Sequence, residues 1–283
     1  MFEVLQQTQD KHVVIPDLHG EHEMAERVID AYIDFPDVNF VFLGDVLDRR
    51  GITTDSEKGV FRTLEHIRKL GERAVMVIAN HEWYPLAAIY SREGVYKETA
   101  IETWLGLESS RSPEFNTLSS YDLDKIDDNV TEQFKSALMK AGHLAVLTQA
   151  MPYFETDRFI AVHAGVDPFI DWATQKDDLR DIACDMAHGV FYDNPEQWFS
   201  MDLAVDTRPI LGTTKTVVSG HAHHLQNNLK DNRLSFKTSR HRSLYGGKRV
   251  RLASQLNAPR TQPLYVWQDW DGEIIQFDQD EQS

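Results

Sequence analysis

The chain has 283 residues, of which 41% are hydrophobic and 26% are charged, and its formal net charge is −16. These values are ordinary for a globular protein, and the length is enough for one large domain or two small ones with a substantial core. The acidic balance argues against binding of long nucleic acids, because such binding depends on cations that neutralise phosphates. It does not exclude a small phosphorylated substrate, since bound divalent ions can reverse the sign of the local field.

The cysteine content and the first residues predict where the protein works. Cys184 is the single cysteine, so no disulfide can form within the chain, and a reducing cytosol is the expected environment. Residues 1–5 lack the basic and then apolar pattern of a signal peptide. No apolar run approaches the roughly eighteen residues that a membrane span needs. We therefore expect a cytoplasmic protein without a membrane partner.

The first third of the chain alternates short apolar runs with helical patterns. The apolar runs are rich in Val, Ile and Phe, as is typical of buried strands, and lie at residues 12–16, 39–43 and 74–78. Between them, residues 21–35 and 56–70 have apolar side chains close to a 3.6-residue period, and Gly71 is placed to end the second helix. This alternation predicts an α/β protein.

The pattern changes at about residue 83 and stays largely helical to about residue 150. Helical stretches at residues 95–105 and 131–147 flank a polar section that is rich in Ser and Asp. We interpret residues 83–150 as a helical insertion that covers the site, within one domain that spans residues 1–283. Further along, strands are predicted at residues 159–162 and 216–218, and the tail is predicted to form a hairpin from residues 264–267 and 273–277.

Each of the five strands in the body of the chain runs into a polar cluster with candidate metal ligands. These ligands are Asp17, His19, Asp45, Asn80, His163, His221 and His223. In α/β folds, ligands gather beyond the carboxyl ends of strands, where all of these residues fall. Oxygen and nitrogen donors without thiolates suit five- or six-coordinate ions better than a structural tetrahedral zinc. Seven donors exceed the needs of one ion, so two ions that share a carboxylate are expected.

The clusters, taken in order, resemble the signature of the calcineurin-like metallophosphoesterases. They are most similar to the phosphoprotein phosphatase branch and its bacterial relatives, which include symmetrical dinucleoside tetraphosphate hydrolases. The matching motifs are Asp17-Leu18-His19-Gly20, Gly44-Asp45-Val46-Leu47-Asp48-Arg49, Asn80-His81-Glu82, His163-Ala164-Gly165 and Gly220-His221-Ala222-His223. The resemblance implies a four-layer αββα sandwich with a mostly helical cap insertion.

The resemblance also implies how two divalent ions would be held. The first ion would be bound by Asp17, His19 and Asp45, with His223 as a further ligand. The second ion would be bound by Asp45, Asn80, His163 and His221, so that Asp45 bridges the pair. Mn²⁺ is the expected ion, and Fe, Zn, Ni, Co and Mg are the alternatives. Two ions roughly 3.5–4 Å apart can deprotonate a bridging water, and the hydroxide then attacks the phosphorus.

Three further residues match the family's catalytic groups. His81 corresponds to the general acid, Asp48 to the carboxylate that orients it, and Arg49 to a phosphate-binding arginine. A leaving alkoxide needs a proton, which an imidazolium with a carboxylate partner can donate. A planar guanidinium can bind two phosphoryl oxygens at once.

Several positions depart from the family pattern or have no assigned role. Ala79 stands where a glycine usually precedes the asparagine. A second phosphate-binding arginine is expected near Trp198, but the segment Asn194 to Ser200 has none. Arg180, Arg208 and the segment 245–249 are the candidates to replace it. We expect Glu82 to support its loop rather than to bind metal, and we assign no role to residues 116–121, although they resemble a family loop near the cleft.

The function expected from these residues is hydrolysis of phosphate monoesters, on a phosphoprotein or on a small phosphate ester. The alternative is a hydrolase of dinucleoside polyphosphates or another nucleotide phosphodiesterase. A protein that binds phosphate or metal without catalysis is the third reading. It is disfavoured because such a protein would not need an acid such as His81 with its orienting carboxylate, Asp48.

Overall fold

The computed structural model describes residues 10–48, 58–91, 95–109, 117–123, 126–191, 210–221, 241–244, 249–252 and 264–277. The first part of the chain forms β1 (Lys11–Ile15), α1 (His22–Tyr32), β2 (Val38–Phe42), α2 (Gly59–Leu70) and β3 (Ala74–Met76). Four helices follow, namely α3 (Asn80–Tyr90), α4 (Val95–Ser109), α5 (Val130–Ala141) and α6 (His143–Thr148). The remainder contains β4 (Tyr153–Glu155), β5 (Phe159–Val162), α7 (Trp172–Ala187), β6 (Thr216–Ser219), β7 (His241–Leu244), β8 (Arg249–Leu252), β9 (Leu264–Gln268) and β10 (Ile274–Phe277).

The described strands form two five-stranded sheets. The first sheet has the order β10-β9-β1-β2-β3, and its β1, β2 and β3 are parallel. The second sheet has the order β4-β5-β6-β8-β7, and its β5, β6 and β8 are parallel. Parallel neighbours end at the same edge of a sheet, so the residues that follow β1, β2 and β3 meet on one side, and those that follow β5 and β6 meet likewise. The predicted terminal hairpin is the antiparallel pair β9 and β10.

Alternating side chains on the strands build an inner core between the sheets and outer cores under the helices. Val14 of the first sheet shares a buried cluster with Phe159 and Val218 of the second sheet. Its neighbours Val13 and Ile15 belong to the other cluster, which also contains apolar residues of α1 and α2. Over the second sheet, Trp172 of α7 packs edge-on against Tyr153, with ring centroids 5.5 Å apart. The layers are helix, sheet, sheet and helix, which confirms the expected α/β sandwich.

One predicted helix is divided in two. The apolar pattern of residues 131–147 predicts a single helix, but Gly142 has φ +75° and separates α5 from α6. Its N–H donates to the carbonyls of Leu138 and Met139, which ends α5. The periodicity missed this break because apolar residues continue on both sides of the glycine. The proposal that residues 83–150 form an insertion within a single domain remains a prediction.

None of the helices in the described ranges combines the length and the hydrophobicity that a span requires.

Candidate metal site

The structure brings six of the seven predicted metal ligands into one buried region at the strand ends. These six are Asp17, His19, Asp45, Asn80, His163 and His221, and the seventh, His223, lies outside the described residues. Backbone hydrogen bonds join the loops that carry them. His19 N–H donates to Asp45 O at 2.8 Å, and Gly220 N–H donates to His163 O at 2.8 Å. The two sheets are joined where His221 N–H donates to the Asp17 carboxylate, 2.9 Å from Oδ2.

The carboxylate of Asp45 is the centre of the cluster. Its Oδ2 lies 3.5 Å from His163 Nε2, 3.6 Å from His19 Nε2 and 3.9 Å from His81 Nε2. His163 Nε2 in turn lies 3.3 Å from Asn80 Oδ1. Two groups of donors therefore share Asp45, one with His19 and His81 and the other with His163 and His221.

Backbone carbonyls orient two of the imidazoles towards Asp45. His19 Nδ1 lies 3.0 Å from the carbonyl oxygens of Leu47 and Asp48, and His163 Nδ1 lies 2.7 Å from Leu43 O. A carbonyl can only accept, so both Nδ1 atoms carry the proton and both Nε2 atoms face Asp45. Metal-binding histidines are held in this way, with one nitrogen donating to the protein and the other directed at the ion.

The surroundings of Asp45 Oδ2 fit a cation. Among the described residues, no donor lies within hydrogen-bond distance of the buried Asp45 Oδ2. Three imidazole nitrogens nevertheless surround it at 3.5–3.9 Å, which is longer than a hydrogen bond and close to the separation of about 3 Å between two ligands of one ion. The region can therefore hold metal, and its nitrogen and carboxylate donors suit several divalent ions.

Burial and mutual charges shift the pKa values of three site residues. Burial raises the pKa of Asp17 to about 6, against the lowering effect of His163. Burial also acts to raise the pKa of Asp45, but the charges of His81 and His163 hold it well below its usual range. Burial acts to lower the pKa of His163, yet the carboxylates of Asp45 and Asp17 raise it to about 9. Without metal, His163 therefore carries a proton that a cation has to displace.

The backbone is strained at the site. Six non-glycine residues in the described ranges have φ in the left-handed region, and four of them are predicted site residues, namely His19, Asp45, Asp48 and His221. Side chains other than glycine rarely adopt this conformation, and such residues cluster where ligands are bound. Sharp turns directly after the strands aim these side chains back across the sheet edges.

The predicted acid and its orienting carboxylate are in contact. His81 Nδ1 lies 2.5 Å from Asp48 Oδ2, and both side chains are buried. The other nitrogen of the ring, Nε2, faces Asp45, and the ring is edge-on to His19 with centroids 5.0 Å apart. His81 can therefore serve either as a proton donor or as a further ligand. Arg49 lies outside the described residues.

Two further residues hold this cluster in place. Glu82 supports the loop after β2, since its carboxylate accepts hydrogen bonds from three consecutive N–H groups, those of Asp45, Val46 and Leu47. Thr117, for which the sequence predicted no role, contacts Asp48. Its position within a family-like loop was the only available signal, and that signal does not show which residue the hydroxyl would meet.

The departure at Ala79 has a geometric explanation. Ala79 has φ −126° and ψ 174°, which is extended backbone that any residue adopts, so no glycine is required there. The glycine requirement lies at Gly44, which has φ +86°. A Cβ at Gly44 would lie 2.5 Å from Ala79 Cβ and 2.7 Å from Val77 O. The loops after β2 and β3 can approach each other because Gly44 has no side chain.

Of the candidates for a second phosphate-binding arginine, Arg180 and Arg249 lie within the described residues, and Arg249 is buried at the start of β8. Arg180 of α7 donates to Tyr153 OH at 3.1 Å and pairs with Asp177 at 3.4 Å, so its guanidinium is already engaged. Arg208 and residues 245–248 lie outside the described ranges, as does Trp198.

Comparison with known proteins places the fold. No family model matches the chain, and no curated protein matches it. A solved structure described as a "putative diadenosine tetraphosphatase" is similar at TM-score 0.50 and 15% identity, and the match covers 98% of this chain and 97% of that one. This likeness shows a common fold, and it agrees with the α/β sandwich described above.

Two phosphatase structures are also similar. A protein serine/threonine phosphatase from Saccharomyces cerevisiae has TM-score 0.46 and 13% identity, with 98% of this chain and 82% of that chain covered. A cold-active protein-tyrosine phosphatase from a psychrophilic Shewanella species has TM-score 0.49 and 13% identity, with 94% and 80% covered.

Proposed function

We propose that the chain is a phosphoesterase that uses two divalent metal ions bridged by Asp45. The observation that carries this proposal is the surrounding of the buried Asp45 Oδ2 by the Nε2 atoms of His19, His81 and His163 at 3.5–3.9 Å. The buried carboxylate is surrounded by imidazole nitrogens, and one of these imidazoles, that of His81, also contacts Asp48 through its Nδ1, so the arrangement combines a cation site with a proton donor.

The ligands divide into two sets around the shared carboxylate. Asp17 and His19 would complete the first set, with His223 as its further member, and Asn80, His163 and His221 would complete the second. When bound, the ions lower the pKa of a water molecule and stabilise the negative charge that develops on the phosphoryl oxygens. Mn²⁺ is the proposed ion, and Fe, Zn, Ni, Co and Mg are the alternatives.

His81 is the proposed proton donor to the leaving group. Asp48 accepts from Nδ1 and so fixes the ring, which leaves Nε2 directed into the site. As the P–O bond breaks, the electron pair stays on the leaving oxygen and Nε2–H supplies its proton. Arg49 is the proposed anchor for the phosphoryl oxygens, since it directly follows Asp48 in the chain.

The proposed substrates are phosphate monoesters, either on a protein or on a small molecule. The alternative, a dinucleoside polyphosphate, comes from the same motif resemblance. The two classes are distinguished by incubating the Mn²⁺-loaded protein with a phosphoserine peptide and, separately, with diadenosine tetraphosphate, and resolving the products by chromatography. Release of inorganic phosphate from the peptide alone supports the monoesterase.

The dinuclear proposal is tested by calorimetric titration of the metal-free protein with Mn²⁺. We expect two ions per chain for the wild type and none for Asp45→Asn, because the uncharged amide cannot bridge two cations. Asp34→Asn, an exposed aspartate just after α1, is the matched control and should bind two. The function would be refuted if p-nitrophenyl phosphate were not hydrolysed with any of Mn²⁺, Ni²⁺, Co²⁺, Fe²⁺ or Zn²⁺.

A further inference from the structure

Thr117 connects the helical section of the chain to the contact between Asp48 and His81, the predicted proton donor. It lies between α4 and α5, next to a short 3-10 helix at Ser119–Tyr121, and its side chain is fully buried. Its hydroxyl makes two hydrogen bonds to one residue, 69 positions earlier in the chain. Thr117 Oγ1 donates to Asp48 Oδ1 at 2.8 Å and accepts the backbone N–H of Asp48 at 2.8 Å.

These two bonds restrain both the backbone and the carboxylate of Asp48. Asp48 has φ +58°, a conformation that needs support from its surroundings. The bond to the N–H supports that backbone, and the bond to Oδ1 stops rotation of the carboxylate about its Cβ–Cγ bond. The other oxygen, Oδ2, is thereby kept 2.5 Å from His81 Nδ1.

The segment that carries Thr117 is itself anchored in a packed core. Leu118 is buried, and Tyr121 packs edge-on against Phe134 of α5 with ring centroids 5.4 Å apart. The Tyr121 hydroxyl lies 2.7 Å from Nδ1 of His143, which is also buried. The hydroxyl of Thr117 is therefore presented from a rigid support, as accurate positioning requires.

We propose that Thr117 is a positioning residue for proton transfer, which holds the Asp48 carboxylate so that His81 Nε2 is aimed at the leaving-group oxygen. The inference rests on the proposed function. A purely structural threonine would support the Asp48 loop without affecting the proton donor in particular. The two roles differ in how the effect of a substitution depends on the leaving group.

The dependence follows from the basicity of the leaving oxygen. Nitrophenolate is a stable anion and departs with little help from an acid, whereas phenolate and a serine alkoxide need a proton as the P–O bond breaks. Thr117→Val keeps the shape of the side chain and removes both hydrogen bonds. We expect it to lower kcat about tenfold or more for phenyl phosphate and a phosphoserine peptide, a part of the ~10²–10⁴-fold effect of a general acid. For p-nitrophenyl phosphate the loss should stay under about threefold, with KM unchanged for all three substrates.

Two matched variants control for the loss of a buried hydroxyl. Thr117→Ser keeps the donor and acceptor and should restore wild-type kcat for phenyl phosphate. Thr63→Val removes another buried threonine hydroxyl, which donates to Gly59 O at 2.9 Å within α2, and should leave kcat unchanged. If Thr117→Val does not fold, Thr117→Ala is judged by the same criteria.

A second measurement does not depend on turnover. In the Mg²⁺-loaded full chain, labelled with ¹⁵N-histidine, the His81 Nδ1 proton should be strongly deshielded by its short hydrogen bond to Asp48. Thr117→Val should move this resonance upfield or broaden it, while Thr117→Ser and Thr63→Val should leave it in place.

The outcomes separate this inference from the proposed function. A wild-type protein that hydrolyses no phosphate ester overturns the function, and the NMR comparison still decides whether Thr117 holds the Asp48–His81 contact. An active wild type with an unchanged His81 resonance in Thr117→Val overturns the inference alone. Equal losses of kcat on p-nitrophenyl and phenyl phosphate also overturn it, because they indicate a purely structural role.

Discussion

The carboxylate of Glu82, in the first turn of α3, accepts the backbone N–H of Asp45 at 2.9 Å, and both residues are fully buried. The same carboxylate accepts the next two N–H groups, those of Val46 and Leu47, at 2.9 and 3.0 Å. Burial raises the pKa of Glu82 to about 7, and the charge of Asp45 adds to this, while the N–H of Leu47 opposes it. Three consecutive N–H groups of the loop after β2 are thus bound by one side chain from the first turn of α3.

Replacing Glu82 by glutamine should disturb the site although Glu82 is not a proposed ligand. The amide NH₂ of a glutamine would face a backbone N–H, and one buried donor would lose its acceptor. We expect unfolding free energy to fall by about 1–3 kcal/mol, and Mn²⁺ affinity to fall by about 10–100-fold, as for other residues that support ligands. Denaturation by urea and calorimetric titration measure the two effects. The exposed Glu26→Gln on α1 is the control, and wild-type Mn²⁺ affinity in Glu82→Gln would show that the loop does not need this carboxylate.

Substitution of His81 should separate its two geometrically allowed roles. If His81 is the proton donor, the variant His81→Asn should keep both ions, and its kcat should be lower by about 10²–10⁴-fold. If His81 is a ligand instead, through the Nε2 atom that lies 3.9 Å from Asp45 Oδ2, the variant should lose an ion. Metal content measured on the purified variant, together with kcat, decides between them. Normal turnover of His81→Asn with both ions present would exclude both roles.

A buried polar network at the opposite end of β1 should control stability without affecting turnover. The Asp269 carboxylate accepts the backbone N–H of His12 at 2.8 Å and binds Arg158, with Oδ2 2.7 Å from Nη2. It joins the first sheet to residues just before β5, and its side chain is fully buried. Asp269→Ala leaves the buried His12 N–H without this acceptor, while Arg158, whose side chain is 38% exposed, can bind water instead, so the unfolding free energy should fall by about 1–3 kcal/mol.

Urea denaturation measures that loss, with the exposed Asp271→Asn as a control that keeps an acceptor for Glu273 N–H. At a temperature where both proteins remain folded, kcat should be the same for Asp269→Ala and wild type. A change in kcat of more than about tenfold would mean that the two ends of β1 are coupled.

Acid should remove a stabilising interaction of Glu65 on α2, which pairs with Arg68 of the same helix and with His143 of α6. The pKa of Glu65 is lowered from 4.5 to about 2, mainly by the hydrogen bond from Arg68 and in smaller part by that from His143, while partial burial opposes both. Because the folded-state pKa is the lower one, the stabilisation is complete above about pH 4.5 and disappears as the pH falls through about 2.

Glu65→Gln should therefore be less stable than wild type by about 0.5–1 kcal/mol at pH 7, a value limited by solvent screening of the partly exposed pair. The difference should shrink between pH 4.5 and 2, which urea denaturation across this range measures. A difference that stays constant or grows towards acid would contradict the assigned cause.

Much of the fold and most of the candidate metal site could be predicted because both depend on local sequence patterns. The strands at 11–15, 38–42 and 159–162 were expected from short runs of branched and aromatic residues, since such side chains suit a sheet that is buried on both faces. Parallel strands end at a common edge, so ligands that follow them directly had to meet. The contact between Asp48 and His81 was expected from the family resemblance.

The contacts that support the ligands could not be predicted in the same way. Thr117 and Asp48 are 69 residues apart, and a hydroxyl that meets a carboxylate at that separation leaves no periodic trace. The sequence likewise does not indicate that the carbonyl of Leu43 orients His163, because every residue carries the same carbonyl group. Gly142 could be read as one of several small residues in a helical run, and only its φ of +75° shows the break.

The sequence by itself determined which donors stand at the strand ends, because a strand and the residue that follows it are covalently joined. Tertiary structure decided how those donors are oriented. The hydrogen bond from His221 N–H to Asp17 joins residues that are 204 positions apart and lie after strands of different sheets. Ring orientation, strained backbone and the shared position of Asp45 depend on hydrogen bonds between distant segments, and those bonds form only when the sheets pack together.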